Sequence, residues 1–533
     1  MARCETAKGW SRGPVRLRDA SGTNTPTLVI LTALLAVASF ARVATAQDVS
    51  GFGNIKQGDA RPSDSAAEKQ WQPVQTDKLS IVNLAPVLLP FFNNGPVFGI
   101  PGTMTGSLSK RTQLSGDWGG ARTRLASKGL FVDFYTTSAL QNIASGGLDS
   151  NDAFVQNTQI SINLDTGRAG LWKGGLIHFT LQSRYGATPE ESFSAGTSVP
   201  QYVGHVLPGP TLSSDFLPSE YFLVQPLSKQ FSIVAGKTSN IFIPDQTMIG
   251  NSYKYYFANF NFNKNAMTPN FYNPTSLAAL AIWAPSTAFA VAGGVLDPYT
   301  EADNFAKNAF DHVNLYLTTV SNYSIAGRPG QLSPAFNWSN KPKMDLENPF
   351  GTLSPVLIPR AVGALLGSPA LEGLPINFKD HSWFSIANVS QYLYVKDARR
   401  DLPQKLKSGQ VIDGVGLFAR VGFAPDDTNT ITRDASVAMF AHGLVPNRTY
   451  DSFGAGLYYN TISDNTKAQI ARYTRGADIV ENEKGVEAFY DFAIIPSIRL
   501  IASYQHVWNP LIAETAKKED KTNVFLTRLT VAW

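Results

Sequence analysis

From Leu130 to Gln141 the two faces of an extended chain differ in character. Leu130, Val132, Phe134 and Leu140 fall on one face at a period of two, and Asp133, Tyr135, Thr137 and Gln141 fall on the other. The pattern returns after the turn SGGLDSND, where Phe154, Ile160, Ile162 and Leu164 oppose Asn157, Gln159, Ser161, Asn163 and Asp165. It returns again after GRAGLWKGG, with Ile177, Phe179, Leu181 and Tyr185 opposed by His178, Thr180, Gln182 and Arg184. Each run is about ten residues, long enough for a tilted strand to cross a membrane, and is apolar on one side only. A soluble β-sandwich also alternates, but its strands are shorter and its polar face meets bulk water, where Lys and Glu are freely tolerated. Here the polar face is mostly Asn, Gln, Ser and Thr, as a narrow water-filled interior favours.

Composition and the chain ends agree with that reading. Charged residues make up only 16% of the chain, while it holds 43 Gly and 32 Pro, so many strands separated by turns are favoured over helices. Arg3, Lys8, Arg12, Arg16 and Arg18 precede an apolar run from Thr27 to Ala41, and Ala44-Thr45-Ala46 follows as a small-x-small site. This is the pattern of a cleaved secretory leader over residues 1–46; the apolar run is shorter than the roughly 20 residues of a spanning helix. The leader takes six of the 45 basic and two of the 41 acidic residues, leaving 39 of each. A neutral mature chain argues against a nucleic-acid partner. The one cysteine, Cys4, also leaves, so no disulfide stabilises the exported protein. At the other end, Phe525, Thr527, Leu529, Val531 and Trp533 share one face, and Leu526, Arg528, Thr530 and Ala532 the other. An exported chain ending in such a strand with a final aromatic resembles the closing strand of bacterial outer-membrane barrels, which the barrel-assembly machinery reads.

Between the ends, residues 47–110 turn from polar to the proline-interrupted LAPVLLPFFNNGPVFGIPG and read as an N-terminal extension or linker on the periplasmic side. Residues 111–129 read as a short helix: Asp117 caps it, Trp118 lies in its first turn, Leu125 shares that side, and Gly129 stops it. Trp118 and Leu125 are expected to dock on protein, with Arg122 and Arg124 wet or paired with acids. The barrel then occupies 130–533. Two apolar stretches imitate membrane helices. TSLAALAIWAPSTAFAVAGGV (275–295) divides at Pro285-Ser286 into a hairpin, and PVLIPRAVGALLGSPALEGLP (355–375) is broken by Pro359, Arg360 and Pro369 into a loop insertion on or inside the barrel.

The stretch LSGDWGGARTRLASKGLFVDFYTTSALQNIASGG resembles the N-terminal signature of the carbohydrate-selective porin family, the OprB type. HFTLQSRYG, YNPTSLAALAIWAP, GVGLFARVGFAPDD, AHGLVPNRTYDSFGAGLYYNTIS, KGVEAFYDFAIIP, ASYQHVWNPLIAE and the final VFLTRLTVAW continue the resemblance in family order over residues 111–533. The chain departs from the family pattern at Ala502-Ser503, where a Pro-Asp pair is common, and the 47–110 and 351–375 segments have no family counterpart. The resemblance implies an all-β fold: a transmembrane antiparallel barrel of 16 strands behind a short N-terminal helix, in the bacterial outer membrane. It implies passive diffusion of small sugars into the periplasm, with no catalytic residue, metal or cofactor. A general or other-solute channel of the same fold is the alternative. The other partners expected are outer-membrane lipid and lipopolysaccharide.

Strand faces nominate the channel residues. On β period Gln182 and Arg184 point inward, as do Phe418 and Arg420 of GLFARVGF, Glu487 and Asp491 of VEAFYDF, and Arg499, Ser503 and Gln505 of SIRLIASYQ. A charge on the lipid face near the midplane costs roughly 2–4 kcal/mol, which favours the same assignment. The family resemblance adds that arginines and acids narrow the pore; Arg184, Arg420 and Glu487 are the leading candidates, with bracing of the wall as the rival role. Lys237 is weaker, because the faces of FSIVAGK do not separate. An outer-membrane enzyme is disfavoured: there is no G-x-S-x-G elbow, H-E-x-x-H, P-loop or G-x-G-x-x-G.

Overall fold

The alternating runs become β1 (Leu130–Gly146), β2 (Asp152–Asp165) and β3 (Leu176–Gly186), and the faces separate as their period requires. In the computed structural model the described residues are 106–533 without 151, 189–190, 192, 206–214, 240–253, 287, 303, 305–308, 367–372, 398–411 and 477–479. The expected leader and all but the last few residues of the expected extension lie outside them. The wall continues with β4 (Leu217–Pro226), β5 (Phe231–Ser239), β6 (Thr275–Trp283), β7 (Phe289–Leu296), β8 (Asn314–Ile325) and β9 (Arg328–Ser339). A two-stranded excursion, β10 (Lys343–Met344) with β11 (Phe378–Lys379), interrupts it. It resumes with β12 (Ser382–Val395), β13 (Gly414–Phe423), β14 (Ile431–His442), β15 (Ser452–Ile462), β16 (Glu483–Ile495), β17 (Ile498–Trp508) and β18 (Lys521–Ala532). Each wall strand pairs antiparallel with the next, and β1 pairs with β18, so sixteen strands close into a barrel. Closure removes every sheet edge, the one way a sheet satisfies its backbone in lipid.

Connections alternate between two ends. At the end holding Leu130 and Ala532 the turns include 227–230, 284–288, 326–327 and 496–497; the opposite rim carries the longer 187–216, 240–274, 297–313, 340–381, 463–482 and 509–520. The 275–295 run is the expected hairpin, β6 to β7, turning at Pro285 and Ser286. No described helix is long and apolar enough to cross a membrane.

Among the described residues five short helices accompany the barrel: α1 (Ala121–Ser127), α2 (Phe260–Asn263), α3 (Ile358–Leu365), α4 (Asp464–Tyr473) and α5 (Leu511–Lys517). Two differ from expectation. In the 355–375 stretch Pro359 sits in the first turn of α3, where a missing N–H costs no helical bond. The helix buries Ala361, Ala364 and Leu365 and packs on α4 at the long-loop rim.

Helix α1 begins later than the 111–129 reading, because Trp118, Gly119 and Gly120 all take positive φ (50, 65 and 87°). That turn brings the Asp117 carboxylate onto the Thr123 N–H (2.7 Å) and hydroxyl (2.8 Å), so Asp117 serves the helix from outside its cap position. Gly129 ends it as expected; at φ 85° a Cβ would lie 2.6 Å from the Asp165 carbonyl oxygen. Trp118 does not dock as expected and is 45% exposed; Leu125 is half-buried, and Arg122, which does pair with an acid, is buried with Ala126, one helical turn on. Arg122 goes inside because it finds acceptors there. Its guanidinium donates to the carbonyls of Gly116 (3.2 Å), Val132 (2.7 Å) and Trp533 (3.0 Å) and lies 3.6 Å from Asp133.

Those contacts sit on a seam. Pairing of β1 with β18 starts at Tyr135↔Ala532, so Leu130–Phe134 have no β18 partner. The Leu114 N–H donates to the Ala532 carbonyl (2.8 Å). Trp533 then finishes the strand: its N–H bonds the Phe134 carbonyl (2.9 Å), its indole N–H bonds Thr136 Oγ1 (3.1 Å), and its ring stacks on Phe134.

Candidate functional site

Two long connections fold back into the barrel, and inward-facing wall residues hold them there. The longer is 254–274, between β5 and β6. It starts beside β18, where Thr530 Oγ1 donates to the Lys254 carbonyl (2.9 Å) and the Arg528 guanidinium donates to the carbonyls of Tyr255 (3.3 Å) and Tyr256. Next, the two Glu487 oxygens of β16 accept the N–H groups of Ala258 (2.8 Å) and Asn259 (2.9 Å). Asn259 Nδ2 reaches Gln505 Oε1 of β17 (3.1 Å). On β13, Arg420 donates to the carbonyls of Asn261 (3.2 Å) and Lys264, with its Nε on Asn388 Oδ1 of β12 (2.6 Å). Asn265 Nδ2 then donates to Asp434 of β14 (2.7 Å), and the Tyr272 hydroxyl to Asn337 of β9. The segment therefore follows the inner wall from β18 round to β9, one bracket after another.

Packing makes room for it. Tyr256, Phe257 and Phe262 of the segment join Phe418, Phe440, Tyr458 and Phe489 of the wall in one buried aromatic cluster. Phe262 lies where β15 presents Gly456: a Cβ there would come within 2.6 Å of the Phe262 ring. The second inward connection, 194–205, is fastened by Glu483 at the start of β16. Its carboxylate accepts from Ser198 N (2.6 Å), Ser198 Oγ (2.8 Å), the Tyr458 hydroxyl (3.2 Å) and the Leu511 N–H of α5 (3.1 Å).

All the sequence-nominated residues face inward, with different surroundings. Arg420, Glu487 and Gln505 bind the 254–274 segment, and Gln505 also donates to the Gln201 carbonyl (3.0 Å). Asp491 and Arg499 pair with each other (Nη2–Oδ2 2.7 Å), and Arg499 Nη2 also donates to the Tyr450 carbonyl (2.7 Å) in a turn at the barrel end that holds Leu130 and Ala532. Gln182 is buried on β3 opposite Gln159 of β2. Arg184 differs from Arg420. Its Nη2 donates to the Ala187 carbonyl (2.8 Å), but its Nε and Nη1 are buried with no partner among the described residues. Lys237 serves the rim instead, its ammonium on the carbonyls of Ala302 (2.8 Å) and Asn304 (3.1 Å).

Sequence reasoning passed over Arg528, Glu483 and Lys254. Alternation along NVFLTRLTVAW already put Arg528 on the inner face, so its signal was present. Lys254 has no strand period to report it. It is buried with its ammonium 4.0 Å from the Tyr135 ring centre; burial pushes it down to about 7 against the pull of Glu220 and Asp133. His205, in the second inward connection, is pushed down to about 3 by burial and then by the Arg184 charge, so it stays neutral at ordinary pH. Among the described residues no group of His, Cys, Asp and Glu is arranged to hold a metal.

The profile described as carbohydrate-selective porin, OprB family, matches residues 150–531. Among solved structures, Pseudomonas putida OprB at high pH has a TM-score of 0.63 at 14% identity, with 80% of this chain and 99% of that chain covered. The low-pH structure of the same protein gives 0.46 at 14% identity over 80% and 99%. The trimer form of Vibrio cholerae OmpT gives 0.42 at 11% identity over 76% and 100%. A comparison with curated protein sequences returned no match.

Proposed function

Because the chain belongs to the OprB family of carbohydrate-selective porins, non-enzymatic β-barrel channels of the outer membrane, we propose that its solutes are small neutral sugars, passed by diffusion into the periplasm. On this reading the leader is cleaved on export, the end bearing Leu130 and Ala532 faces the periplasm, and the long-loop rim faces the outside. A diffusion channel must replace some of the water around its solute without holding it. Sugar hydroxyls are met by donors and acceptors that carry little net field.

The observation that carries the assignment to particular residues is the contrast between two inward arginines. Arg420 gives its Nε and Nη1 to the fold, whereas Arg184 keeps Nε and Nη1 unpartnered on the same inner surface. A buried donor without an acceptor costs about 1–3 kcal/mol, and a passing hydroxyl relieves that cost. On this reading Arg184, buried in the arrangement described, offers its spare donors to a solute that reaches it, while Arg420, Glu487 and Gln505 shape the passage by holding the 254–274 segment.

Planar-bilayer recordings with mono- and disaccharides as blockers test this. In Arg184→Ala, half block by sugar should need roughly tenfold more sugar, the equivalent of one charge-assisted hydrogen bond. Unchanged sugar block in that variant removes the solute-facing role. Wild-type channels that no sugar blocks favour a general diffusion pore of the same fold.

A further inference from the structure

Above the lipid-facing band, the outer wall of β15 to β18 carries one row of polar-tipped side chains. Tyr459 lies opposite Lys484, Lys484 opposite Trp508, and Trp508 opposite Lys521. All four side chains are exposed, and their strand neighbours Gly485, Val507 and Thr522 are buried, so the row points away from the barrel. It lies at the strand ends that meet the long-loop rim. Strands are about 4.8 Å apart, which sets Lys484 and Lys521 roughly 10 Å apart with the indole of Trp508 between them. Neither ammonium has a hydrogen bond or ion pair among the described residues. In the adjoining connection the Glu481 carboxylate accepts from Asn509 Nδ2 (2.8 Å). Towards the midplane the surface turns apolar, with Leu457, Tyr504 and Phe525 exposed.

We propose that this row is a binding site for a phosphorylated glycolipid of the outer leaflet, its phosphates on Lys484 and Lys521 and a sugar ring of its headgroup on Trp508. The proposal rests on the orientation given under Proposed function, which turns the long-loop rim outward. Two cations at that spacing match a disaccharide phosphorylated at both ends better than a single phosphodiester. An indole between them supplies a flat apolar surface for a sugar face, and the band below takes acyl chains. Unpaired ammoniums beside a tryptophan at the top of an apolar band suit an anionic headgroup, since juxtamembrane lysines gain favourable energy near anionic lipid.

Native mass spectrometry of the purified, detergent-solubilised barrel, titrated with lipid A bearing two phosphates, tests the assignment. EDTA is included so that divalent bridges to the rim carboxylates do not contribute. The wild type is expected to bind lipid A more tightly than its dephosphorylated form or phosphatidylglycerol. Lys484→Gln/Lys521→Gln is expected to lose at least roughly tenfold in affinity, and each single variant a part of that. Heat-modifiable migration and unchanged sugar block in the variants establish that barrel and channel are intact. If the double variant does not fold, the two single variants carry the same comparison. Equal affinity of wild type and variants, or equal binding of phosphatidylglycerol and lipid A, overturns the site. Failure of sugar block in the wild type overturns the sugar reading and leaves the lipid result standing. Chemical labelling that finds residue 484 on the periplasmic side overturns the orientation and this site with it.

Discussion

Arg420 and Glu487 look alike in the sequence, two charges on the polar faces of two strands, and in the folded chain they do the same kind of work with opposite sign. Arg420 holds carbonyls of the 254–274 segment, and Glu487 holds two of its N–H groups. Both ligand sets are backbone, so the residues bind the path of the segment and not its side chains. Hydrogen bonds to charged groups contribute about 1.5–3 kcal/mol each, so removing either bracket frees part of the segment without opening the wall. Glu487→Ala and Arg420→Ala are therefore expected to assemble normally and to give larger, noisier single-channel currents than the wild type. Glu487→Gln keeps one acceptor oxygen and should fall between. Currents of unchanged size and noise in both alanine variants would show that the segment keeps its path without them. The inward direction of these two residues was legible because β alternation has a period of exactly two residues. Their partners were not, since the connection that supplies them has no period at all.

At the scale of elements, the N-terminal segment shows how a helix pattern misleads when the helix serves a barrel seam. Helical spacing put Trp118 and Leu125 on the docking side and left Arg122 wet or paired with an acid. The helix instead turns Arg122 to the place where the stagger between β1 and β18 leaves carbonyls unpaired, and acceptors decide the matter over hydrophobicity. Trp118 then lies over the guanidinium at 4.7 Å, with one face in solvent. Arg122→Ala abandons the Val132 and Trp533 carbonyls together with Asp133, a loss of about 2–4 kcal/mol at the closing seam. The expected result is a heat-modifiable band that converts to the unfolded position at lower temperature. A conversion temperature equal to the wild type's would mean that the β1–β18 ladder closes the barrel unaided. Helix α3 was missed for a comparable reason: Pro359 reads as a breaker in the interior of a helix and is harmless in its first turn.

For the whole molecule, the barrel and its inward segments keep cations and anions close to balance. Arg184, Lys254, Lys264, Arg420, Arg499 and Arg528 are set among Asp133, Glu220, Asp434, Glu483, Glu487 and Asp491, on the inner wall or on the segment it holds. Composition foreshadowed this, since residues 47–533, the chain beyond the expected leader, carry equal numbers of acids and bases. The balance matters for the channel because a fixed charge of one sign would select ions and set up a field that neutral solutes do not need. A tenfold potassium chloride gradient should therefore give a reversal potential far below the ~59 mV of a perfectly selective pore. Arg184→Glu exchanges an inner-wall arginine with two donors unpartnered among the described residues for an anion and should move that potential measurably towards cation selectivity. The same exchange at Lys237, whose ammonium is engaged at the rim, should move it much less. Equal shifts at the two positions would mean that ions respond to the total charge of the barrel, and Arg184 would lose its place beside the solute path.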